Sequence, residues 1–479
     1  MGQLNAIDHI VVLMLENRSF DNMFGKLYPK SPTFDGLSGT ESNPDPATGA
    51  PITVWSNTGT DDKTMSIPDP DPGELWTDMN TQLFGRPDVP TPAPAPTMDG
   101  FITNYIAQTA EPPQNYVAKN IMHYFTEDQV PVISKLAKGF AVCDRWYASA
   151  PCQTWPNRWF VHTATADGFQ NNEPIHLPDM ETIYNRIEQT GTQDWKIYFH
   201  DVPQSLTLRK LWLHGSHFHF YRQFQVDCQT GQLPSYSFIE PRYFSDFGNP
   251  ENDEHPPSVV TLGEQLIADV YNCVRSGPEW SKTLLIITYD EHGGCYDHAP
   301  PPNAAMPAPP NPGQVFAFDR YGVRVPTVLI SPYIPQGTVF RAAGGVPCDH
   351  TSVIATLRKR FPALGPPLTG RDKVAPDLDA VLSLPAPSNN GPDLAAVKAL
   401  PFARTPMAAA AAQAKPLNGM QRALVDMAAN LPEIPGMHLQ THMEAIAPAL
   451  RSAPPGTKDD VHAAASFVKQ QVGNFFQAR

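Results

Sequence analysis

Four short runs of apolar residues have the length of β-strands and show no alternation of polar and apolar positions. They span residues 7–15, 140–143, 283–289 and 325–330. A strand with one face in solvent alternates between apolar and polar residues, whereas a strand covered on both faces is apolar throughout. The four runs therefore predict buried strands of a sheet that helices cover on both sides.

Helical periodicity occurs between these runs. Residues 258–275 place six apolar side chains on one face of a helix: Val259, Leu262, Leu266, Ile267, Val270 and Val274. Residues 352–361 show a shorter pattern of the same kind. Strands that alternate with helices form mostly parallel sheets, so we predict an α/β protein with a mostly parallel central sheet in an α/β/α sandwich.

The chain changes character near residue 376. Beyond it lie proline-rich stretches, an alanine run at 408–412 and two helical segments, at 418–431 and 459–476. We therefore predict a main α/β domain over residues 1–375 and a C-terminal Pro/Ala-rich and helical region over 376–479.

Composition and charge exclude several classes of protein. Hydrophobic residues make up 41% of the 479 residues and charged residues 17%, which is too apolar for a disordered chain. With 34 basic and 48 acidic side chains the net charge is −14, and a nucleic-acid-binding protein would need a basic surface. No apolar run is long enough to span a membrane, and no export leader is visible, so the sequence alone predicts a soluble cytoplasmic protein.

Polar residues directly follow two of the predicted strands. Glu16 and Asn17 come after the first run, and Asp290 and Glu291 come after the run at 283–289. Functional groups in open α/β sheets gather at the carboxyl ends of the strands, so these side chains are expected to converge. Three carboxylates would repel one another without a cation between them, and an oxygen-rich set suits a divalent metal ion. The alternative is that each pair caps the helix after its strand.

The segment ASAPCQTWPNRWF at 148–160 offers a candidate nucleophile. Thr154 lies just before Pro156, and proline is suited to the first turn of a helix. A hydroxyl there would feel the helix dipole, and a bound divalent cation would lower its pKa. Asn157 and Arg158 follow within one turn and could bind the oxygens of a phosphoryl group. The alternative is that Thr154 is only a helix N-cap.

Four motifs occur in order along the chain: IDHIVVLMLENRSFDNMFG at 7–25, TWPNR at 154–158, NDEHPP at 252–257 and TYDEHGGCYDH at 288–298. Together they resemble the bacterial and plant phosphoesterase family of non-specific phospholipases C and related acid phosphatases. The resemblance extends to about residue 361. It implies an alkaline phosphatase-like α/β/α fold, and a metal-assisted reaction through a covalent phosphoryl-enzyme.

The resemblance also assigns roles to the residues of the predicted site. Glu16, Asn17, Asp290 and Glu291 match the family's metal ligands. Thr154 matches its nucleophile, which also contacts the metal. Oxygen-rich ligation leaves the identity of the divalent ion open among Ca²⁺, Mg²⁺, Mn²⁺ and Zn²⁺.

The resemblance also singles out three histidines: His255 and His298 in two of the four motifs, and His350 in the segment CDHTS at 348–352. His255 of NDEHPP matches a histidine near the leaving group, where it could donate a proton as general acid. The alternative is a surface histidine in a proline-rich loop. His298 of the YDH motif and His350 of CDHTS could contact substrate or orient the site, or they could simply bridge loops.

One segment departs from the pattern. Residues 71–85 (DPGELWTDMNTQLFG) resemble a family segment that often carries a histidine where this chain has Glu74. A carboxylate in that place changes the local charge and affects the expected leaving-group preference. It leaves the metal and nucleophile assignments unchanged.

The resemblance predicts a phosphoric-ester hydrolase. We expect a phospholipase C that releases diacylglycerol and a phosphorylated head group, because a threonine in the TxPNR motif resembles the phospholipase branch. This implies a phospholipid or phosphate-ester substrate and peripheral membrane contact, and the oligomeric state stays open. An acid phosphatase that acts on monoesters is the near alternative. A protein of another class, an inactive metal-binding or lipid-surface protein, is the third.

Overall fold

The computed structural model describes residues 2–108, 117–173, 176–245, 249–393, 397–402, 416–432 and 450–477. The alanine run at 408–412 and other parts of the predicted C-terminal region lie outside these residues.

The described strands, in chain order, are β1 (His9–Leu15), β2 (Ser42–Pro44), β3 (Pro51–Thr53), β4 (Ala141–Cys143), β5 (Trp146–Tyr147), β6 (Trp195–Phe199), β7 (Phe218–Phe220), β8 (Tyr236–Glu240), β9 (Thr283–Tyr289), β10 (Thr327–Ile330), β11 (Thr338–Phe340) and β12 (Cys348–Asp349). Eight of them form the central sheet, in the spatial order β11-β4-β10-β9-β1-β8-β6-β7. Strand β10 is antiparallel to both of its neighbours, and the other pairs are parallel. The sheet is therefore mostly parallel, with β1 and β9 at its centre.

The described α-helices are α1 (Phe20–Phe24), α2 (Asp62–Met65), α3 (Trp76–Phe84), α4 (Phe101–Ile106), α5 (Pro131–Gly139), α6 (Thr154–Thr163), α7 (Ile183–Thr190), α8 (Tyr221–Thr230), α9 (Val260–Ser276), α10 (Thr351–Arg360), α11 (Gly370–Val374), α12 (Gly419–Ala429) and α13 (Val461–Gln477). Short 3₁₀ helices lie at Leu4–Ala6, Ala118–Met122, Gln204–Thr207, Arg209–His217, Trp280–Lys282, Pro362–Leu364 and Asp379–Val381.

Helices pack against both faces of the sheet, as strand β6 demonstrates. Side chains along a strand point alternately to opposite faces. Trp195 contacts Tyr184 of α7, with ring centroids 4.5 Å apart. Tyr198, which faces the other way, contacts Phe224 of α8 at 5.2 Å. The predicted class, mixed α/β with a mostly parallel central sheet between helices, is confirmed.

The four apolar runs correspond to β1, β4, β9 and β10, each within two residues of the predicted bounds. The two predicted helices correspond to α9 and α10. Every residue of β9 is buried, as a strand covered on both faces requires. The pattern did not identify the short strands β8, β6 and β7, which complete the sheet beside β1, or β11 at the opposite edge.

The described C-terminal helices pack on the main body of the protein. Leu424 of α12 and Val468 of α13 belong to the same buried apolar cluster as the central strands. Gln421 of α12 also donates from Nε2 to the backbone oxygen of Tyr243 at 2.8 Å. All six cysteines carry free thiols. Among the described helices, none combines the length and the apolar character needed to cross a membrane.

Candidate active site

The predicted ligands lie where β1 and β9 end side by side. The two strands pair in parallel, with Leu15 next to Tyr289 at their carboxyl ends. The next two residues of each strand therefore leave the sheet at the same edge: Glu16 and Asn17, and Asp290 and Glu291. All four side chains are fully buried. The backbone N–H of Asn17 donates to Asp290 Oδ1 at 3.0 Å, so the two strand ends are in direct contact.

Two residues in left-handed backbone conformation make this close approach possible. Asn17 has a φ of 57°, a conformation that asparagine tolerates better than most residues. Gly293 has a φ of 59°, and a Cβ there would lie 2.2 Å from the Asn17 backbone oxygen. Position 293 therefore requires glycine for both conformation and space.

The structure brings Thr154 to the same place. It is the first residue of α6 and is fully buried. Its Oγ1 lies 3.4 Å from Glu16 Oε2 and 3.4 Å from Asn17 Oδ1. The hydroxyl therefore faces the strand ends, at the N-terminus of a helix where the backbone dipole favours negative charge.

Arg158, one turn further along α6, supplies the positive charge of the site. Its Nη2 lies 2.5 Å from Glu16 Oε1, and its Nε lies 3.4 Å from Asp290 Oδ2. Nη2 also donates to the backbone oxygens of Met14 and Leu15 at 3.1 and 3.3 Å. Its Nη1 is buried and has no hydrogen-bond partner among the described residues. One N–H group is therefore free to bind an anionic ligand.

The residues present fit a divalent cation. Burial, with Asp290 adding to it and Arg158 opposing it, raises the pKa of Glu16 well above its usual range. Burial and the carboxylates of Glu74 and Asp290 do the same for the pKa of Glu291. Glu291 Oε1 is buried without a hydrogen-bond partner in the described structure. Arg158 offsets part of the negative charge of these three buried carboxylates, and a divalent cation would offset the rest.

Two sets of acidic and histidine side chains are more compact than this group. Within the described ranges, the ligand atoms of Asp71, Glu74 and His255 lie within 4.8 Å of one another, as do those of Asp21, Asp297 and His298. The oxygens of Glu16, Asp290 and Glu291 do not meet that distance. Arg158 instead contacts two of them, at Glu16 and Asp290.

His255 is fully buried beside Glu74 rather than exposed on a loop. Its Nε2 lies 3.3 Å from Glu74 Oε1, and its Nδ1 lies 2.7 Å from the Pro256 backbone oxygen. Glu74 Oε1 in turn accepts a hydrogen bond from Asn17 Nδ2 at 2.5 Å. His255 is therefore linked to the strand ends through one carboxylate oxygen.

His350 supports the site from behind. Trp146 donates from Nε1 to His350 Nδ1 at 3.3 Å, so the ring carries its hydrogen on Nε2. That Nε2 donates to the backbone oxygen of Asp290 at 2.6 Å. Burial lowers the pKa of His350, which is consistent with a neutral ring. The contacts of His350 fix the backbone of Asp290.

His298 belongs to the second compact cluster. Its Nδ1 lies 2.6 Å from Asp21 Oδ2, and its Nε2 lies 3.2 Å from Asp35 Oδ1. Burial opposes the charged ring, but the hydrogen bonds to these two carboxylates outweigh it and raise the pKa of His298 to about 10. Arg324 joins the same cluster through Asp21 and Asp297. His298 thus lies between the carboxylates of Asp21 and Asp35, with Lys30 Nζ 2.9 Å from its Nε2.

Asn157 has its amide committed to the backbone. Its Oδ1 accepts from the N–H of Ala150 at 3.0 Å, and its Nδ2 donates to the oxygens of Ala150 and Cys152 at 3.1 and 2.6 Å. These contacts fix the loop that leads into α6. The side chain predicted to bind phosphoryl oxygens therefore positions the segment that carries Thr154.

Two residues that contact the site, His292 and Tyr243, were not predicted from the sequence. His292 lies with Nδ1 3.2 Å from Glu291 Oε2 and with Nε2 2.8 Å from Gln82 Oε1. Burial lowers its pKa to about 3, so the ring is neutral. Its place in the TYDEHGG motif is a signal that could have drawn attention to it. Tyr243, whose ring lies 5.7 Å from the Arg158 guanidinium carbon, gives no such signal.

Comparisons with known proteins agree with the motifs. A model of the Phosphoesterase family matches residues 7–363. The chain is 38% identical over 405 residues to non-specific phospholipase C3 of Arabidopsis thaliana, covering 81% of this chain and 76% of that protein. It is 30% identical over 444 residues to phospholipase C A of Mycobacterium tuberculosis, covering 81% of this chain and 79% of that protein.

Among solved structures, the chain is similar to a protein in the alkaline phosphatase superfamily from Vibrio parahaemolyticus. The TM-score is 0.31 at 11% identity, covering 52% of this chain and 64% of the other. A likeness at this level carries no argument about the site. The family match extends over most of the chain and over all four motifs, and the predicted resemblance is confirmed. The chain belongs to the Phosphoesterase family and is a hydrolase of phosphoester bonds.

Proposed function

We propose that the protein is a metal-dependent phospholipase C that cleaves phospholipids to diacylglycerol and a phosphorylated head group, through a covalent intermediate on Thr154. One observation carries this proposal. A buried threonine hydroxyl at a helix N-terminus lies 3.4 Å from both Glu16 and Asn17, within one helical turn of an arginine with a free N–H.

The residues that would hold the divalent cation are Glu16, Asn17, Asp290, Glu291 and Thr154. When bound, such an ion lowers the pKa of the threonine hydroxyl and offsets negative charge on the phosphoryl oxygens. The unpartnered oxygen of Glu291 supports this assignment, because a buried carboxylate oxygen requires a cation or a hydrogen-bond donor.

The side chains of this protein then have distinct tasks. Thr154 Oγ1 attacks phosphorus in line with the bond that breaks. Arg158 donates from its free Nη1 to an equatorial oxygen, where negative charge develops in the transition state. His255 donates a proton to the departing alcohol. A water molecule that enters opposite Thr154 then releases the phosphorylated head group.

Other residues keep this arrangement in place. Asn157 fixes the loop before α6, and His350 fixes the backbone of Asp290. His298 lies in the Asp21–Asp297–Arg324 cluster, and we propose that this cluster holds the segment after β1 in place. His350 and His298 thus act through neighbours rather than on the substrate.

Two features favour a phospholipid over a soluble monoester. The Arabidopsis and Mycobacterium relatives are both phospholipases C by name. Leu75, directly after Glu74, is 46% exposed, and Val315 is 77% exposed. Each precedes one member of an aromatic pair, Trp76 and Phe316, whose rings are 4.2 Å apart. Exposed apolar residues of this kind suit peripheral contact with a membrane surface.

The test compares Thr154→Ala with Thr154→Ser and the unmodified protein. Diacylglycerol release is measured on micellar phosphatidylcholine, phosphate release on p-nitrophenyl phosphate, and metal content by elemental analysis. We expect Thr154→Ala to abolish turnover with the metal retained, and Thr154→Ser to keep part of the activity. Normal turnover by Thr154→Ala would refute the nucleophile assignment. Faster turnover of the monoester than of the lipid by the unmodified protein would favour the acid phosphatase alternative.

A further inference from the structure

The hydrogen-bond partners of His255 determine which of its nitrogens carries a hydrogen. Nδ1 lies 2.7 Å from the backbone oxygen of Pro256, an acceptor only, so Nδ1 must be the donor in that bond. In a neutral ring, Nε2 would then present a lone pair. It lies 3.3 Å from Glu74 Oε1, which is also an acceptor, in an ion-pair contact that lacks the alignment of a hydrogen bond. The contact is favourable only if Nε2 carries a proton.

The position of Glu74 is fixed, which keeps its carboxylate beside His255 Nε2. It is almost fully buried, and its Oε1 accepts from Asn17 Nδ2 at 2.5 Å. Asn17 is itself fixed by its backbone contact with Asp290. The carboxylate oxygen therefore stays in a defined place between the end of β1 and the imidazole ring.

Asp71 lies near the same ring but at the other nitrogen. Its Oδ1 is 3.7 Å from Nδ1, whose hydrogen already belongs to Pro256. This carboxylate adds negative charge near the ring without contacting Nε2. Glu74 lies at Nε2 and Asp71 at Nδ1, so replacing each carboxylate in turn separates their effects on the ring.

The other charged groups around the ring have the same sign. Asp253 accepts from the His255 backbone N–H at 3.2 Å, and Glu16 and Glu291 at the ends of β1 and β9 interact electrostatically with His255. Burial opposes the charged ring, but the carboxylates of Glu74 and Asp71 outweigh it and raise the pKa of His255 well above its usual range. Cations lie further along the same carboxylates, Arg18 towards Asp71 and Arg158 towards Glu16.

We propose that Glu74 is a positioning residue that keeps a proton on His255 Nε2 for transfer to the leaving oxygen, an inference that rests on the proposed phosphoester cleavage. Glu74 acts through His255 and does not itself contact the reacting atoms. In this chain the carboxylate thus selects for substrates whose leaving groups need protonation, such as the alkoxide of diacylglycerol.

In the first half of the reaction the covalent intermediate forms on Thr154. The bond from Thr154 Oγ1 to phosphorus forms, and the hydroxyl proton passes to water. The bond from phosphorus to the leaving oxygen breaks, its electron pair stays on that oxygen, and the Nε2 proton moves there. The alcohol departs and His255 becomes neutral. In the second half, a water molecule bonds to phosphorus and returns a proton to Nε2, while Thr154 leaves and regains a proton from water.

The kinetic test uses two substrates with the same head group and different leaving groups. Phosphatidylcholine releases a poor leaving group that needs a proton, whereas p-nitrophenylphosphorylcholine releases a stable nitrophenolate. Glu74→Gln removes the charge but keeps an oxygen that can accept from Asn17. We expect kcat on phosphatidylcholine to fall about 100-fold, the size of a lost general acid, and kcat on the nitrophenyl ester to change less than about threefold.

Asp71→Asn is the matched comparison: it removes a charge near the ring but keeps the Glu74 contact at Nε2, so its loss on phosphatidylcholine should be clearly smaller than that of Glu74→Gln. Equal losses on both substrates in Glu74→Gln, or no loss on either, would overturn the proposal. Glu74→Ala with added formate provides a second variant, in which formate should restore the phosphatidylcholine rate selectively.

A spectroscopic readout separates this proposal from the proposed function. In ¹⁵N-histidine NMR of the purified protein at neutral pH, the signal that is lost in His255→Gln identifies His255. We expect two protonated ring nitrogens in the unmodified protein and a neutral ring in Glu74→Gln. A neutral His255 in an active unmodified protein would overturn the role of Glu74. A charged His255 in a protein that cleaves neither ester would instead refute the proposed function.

Discussion

Replacing Arg158 by methionine should destabilise the folded protein more than most single substitutions do. The arginine is fully buried and contacts the carboxylates of Glu16 and Asp290 at 2.5 and 3.4 Å. It also donates to the backbone oxygens of Met14 and Leu15. Methionine has a similar length but no charge and no N–H, so it removes these interactions without leaving a large cavity.

The expected loss follows from what remains behind. Removing one partner of a buried ion pair typically costs about 3–5 kcal/mol, because the other charge stays buried and uncompensated. The backbone oxygens of Met14 and Leu15 lose a donor, which adds up to about 1 kcal/mol each. Because these effects are not additive, we expect a loss of about 4 kcal/mol in the free energy of unfolding. This is a large part of the roughly 5–15 kcal/mol typical of folded proteins.

The assay is equilibrium unfolding in guanidinium chloride at neutral pH, in the presence of a chelator and again with a saturating divalent cation. A bound cation neutralises the stranded carboxylates, so the loss should be smaller with the ion present. Lys282→Met is the control, since Lys282 and Asp8 form an ion pair at 2.8 Å in which both side chains are exposed, by 58% and 40%. A pair of this kind contributes at most about 1 kcal/mol. If Arg158→Met lost no more stability than this control, the reasoning about the buried charges would be refuted.

Two further predictions follow from the described contacts. Burial raises the pKa of Glu254 from 4.5 to about 7 despite its hydrogen bond from Tyr289, so its contribution to stability is fully present below pH 4.5 and is lost as the pH rises to about 7. Glu254→Gln, which cannot ionise, should flatten the pH dependence of the unfolding free energy by about 1.4 kcal/mol per unit between pH 5 and 7, and an unchanged slope would contradict this. Leu75→Asp and Val315→Asp should each weaken binding to phosphatidylcholine vesicles at least about tenfold in a sedimentation assay while turnover of p-nitrophenyl phosphate persists. Val226→Asp, exposed on α8, should not weaken it, and equal losses in all three would indicate a general surface effect.

The sequence pattern predicted the centre of the sheet better than its edges. The runs at β1 and β9 are long, apolar throughout and followed by polar residues, so both their existence and their carboxyl ends could be read from the chain. Strands β6 and β8 have five residues each. Lys196 and Tyr198 interrupt the apolar pattern of β6, and both contact Asp227 on α8. Ser237 interrupts the apolar pattern of β8. Those contacts are made by tertiary packing, and a local pattern does not contain them.

The sequence predicted which residues converge at the strand ends better than it predicted their hydrogen bonds. Residues after β1 and β9 and the start of α6 do meet, as the rule for parallel strand ends requires. Asn157, however, uses its amide on the loop before α6. Whether a polar side chain faces a ligand or the backbone depends on a rotation that the sequence does not encode locally. The contact between Glu74 and His255 joins residues far apart in the chain with no shared period, so no spacing rule predicts it.

The contacts of helix α12 connect the C-terminal part of the chain to Arg158 in the candidate site. Gln421 holds the carbonyl of Tyr243, and the ring of Tyr243 covers Arg158. The start of α12 also lies beside Gln153, the residue before the nucleophile. We expect that shortening the protein to end before residue 416 would loosen the ring over the guanidinium group. Such a truncation should weaken phosphate binding even though it removes none of the residues proposed to react.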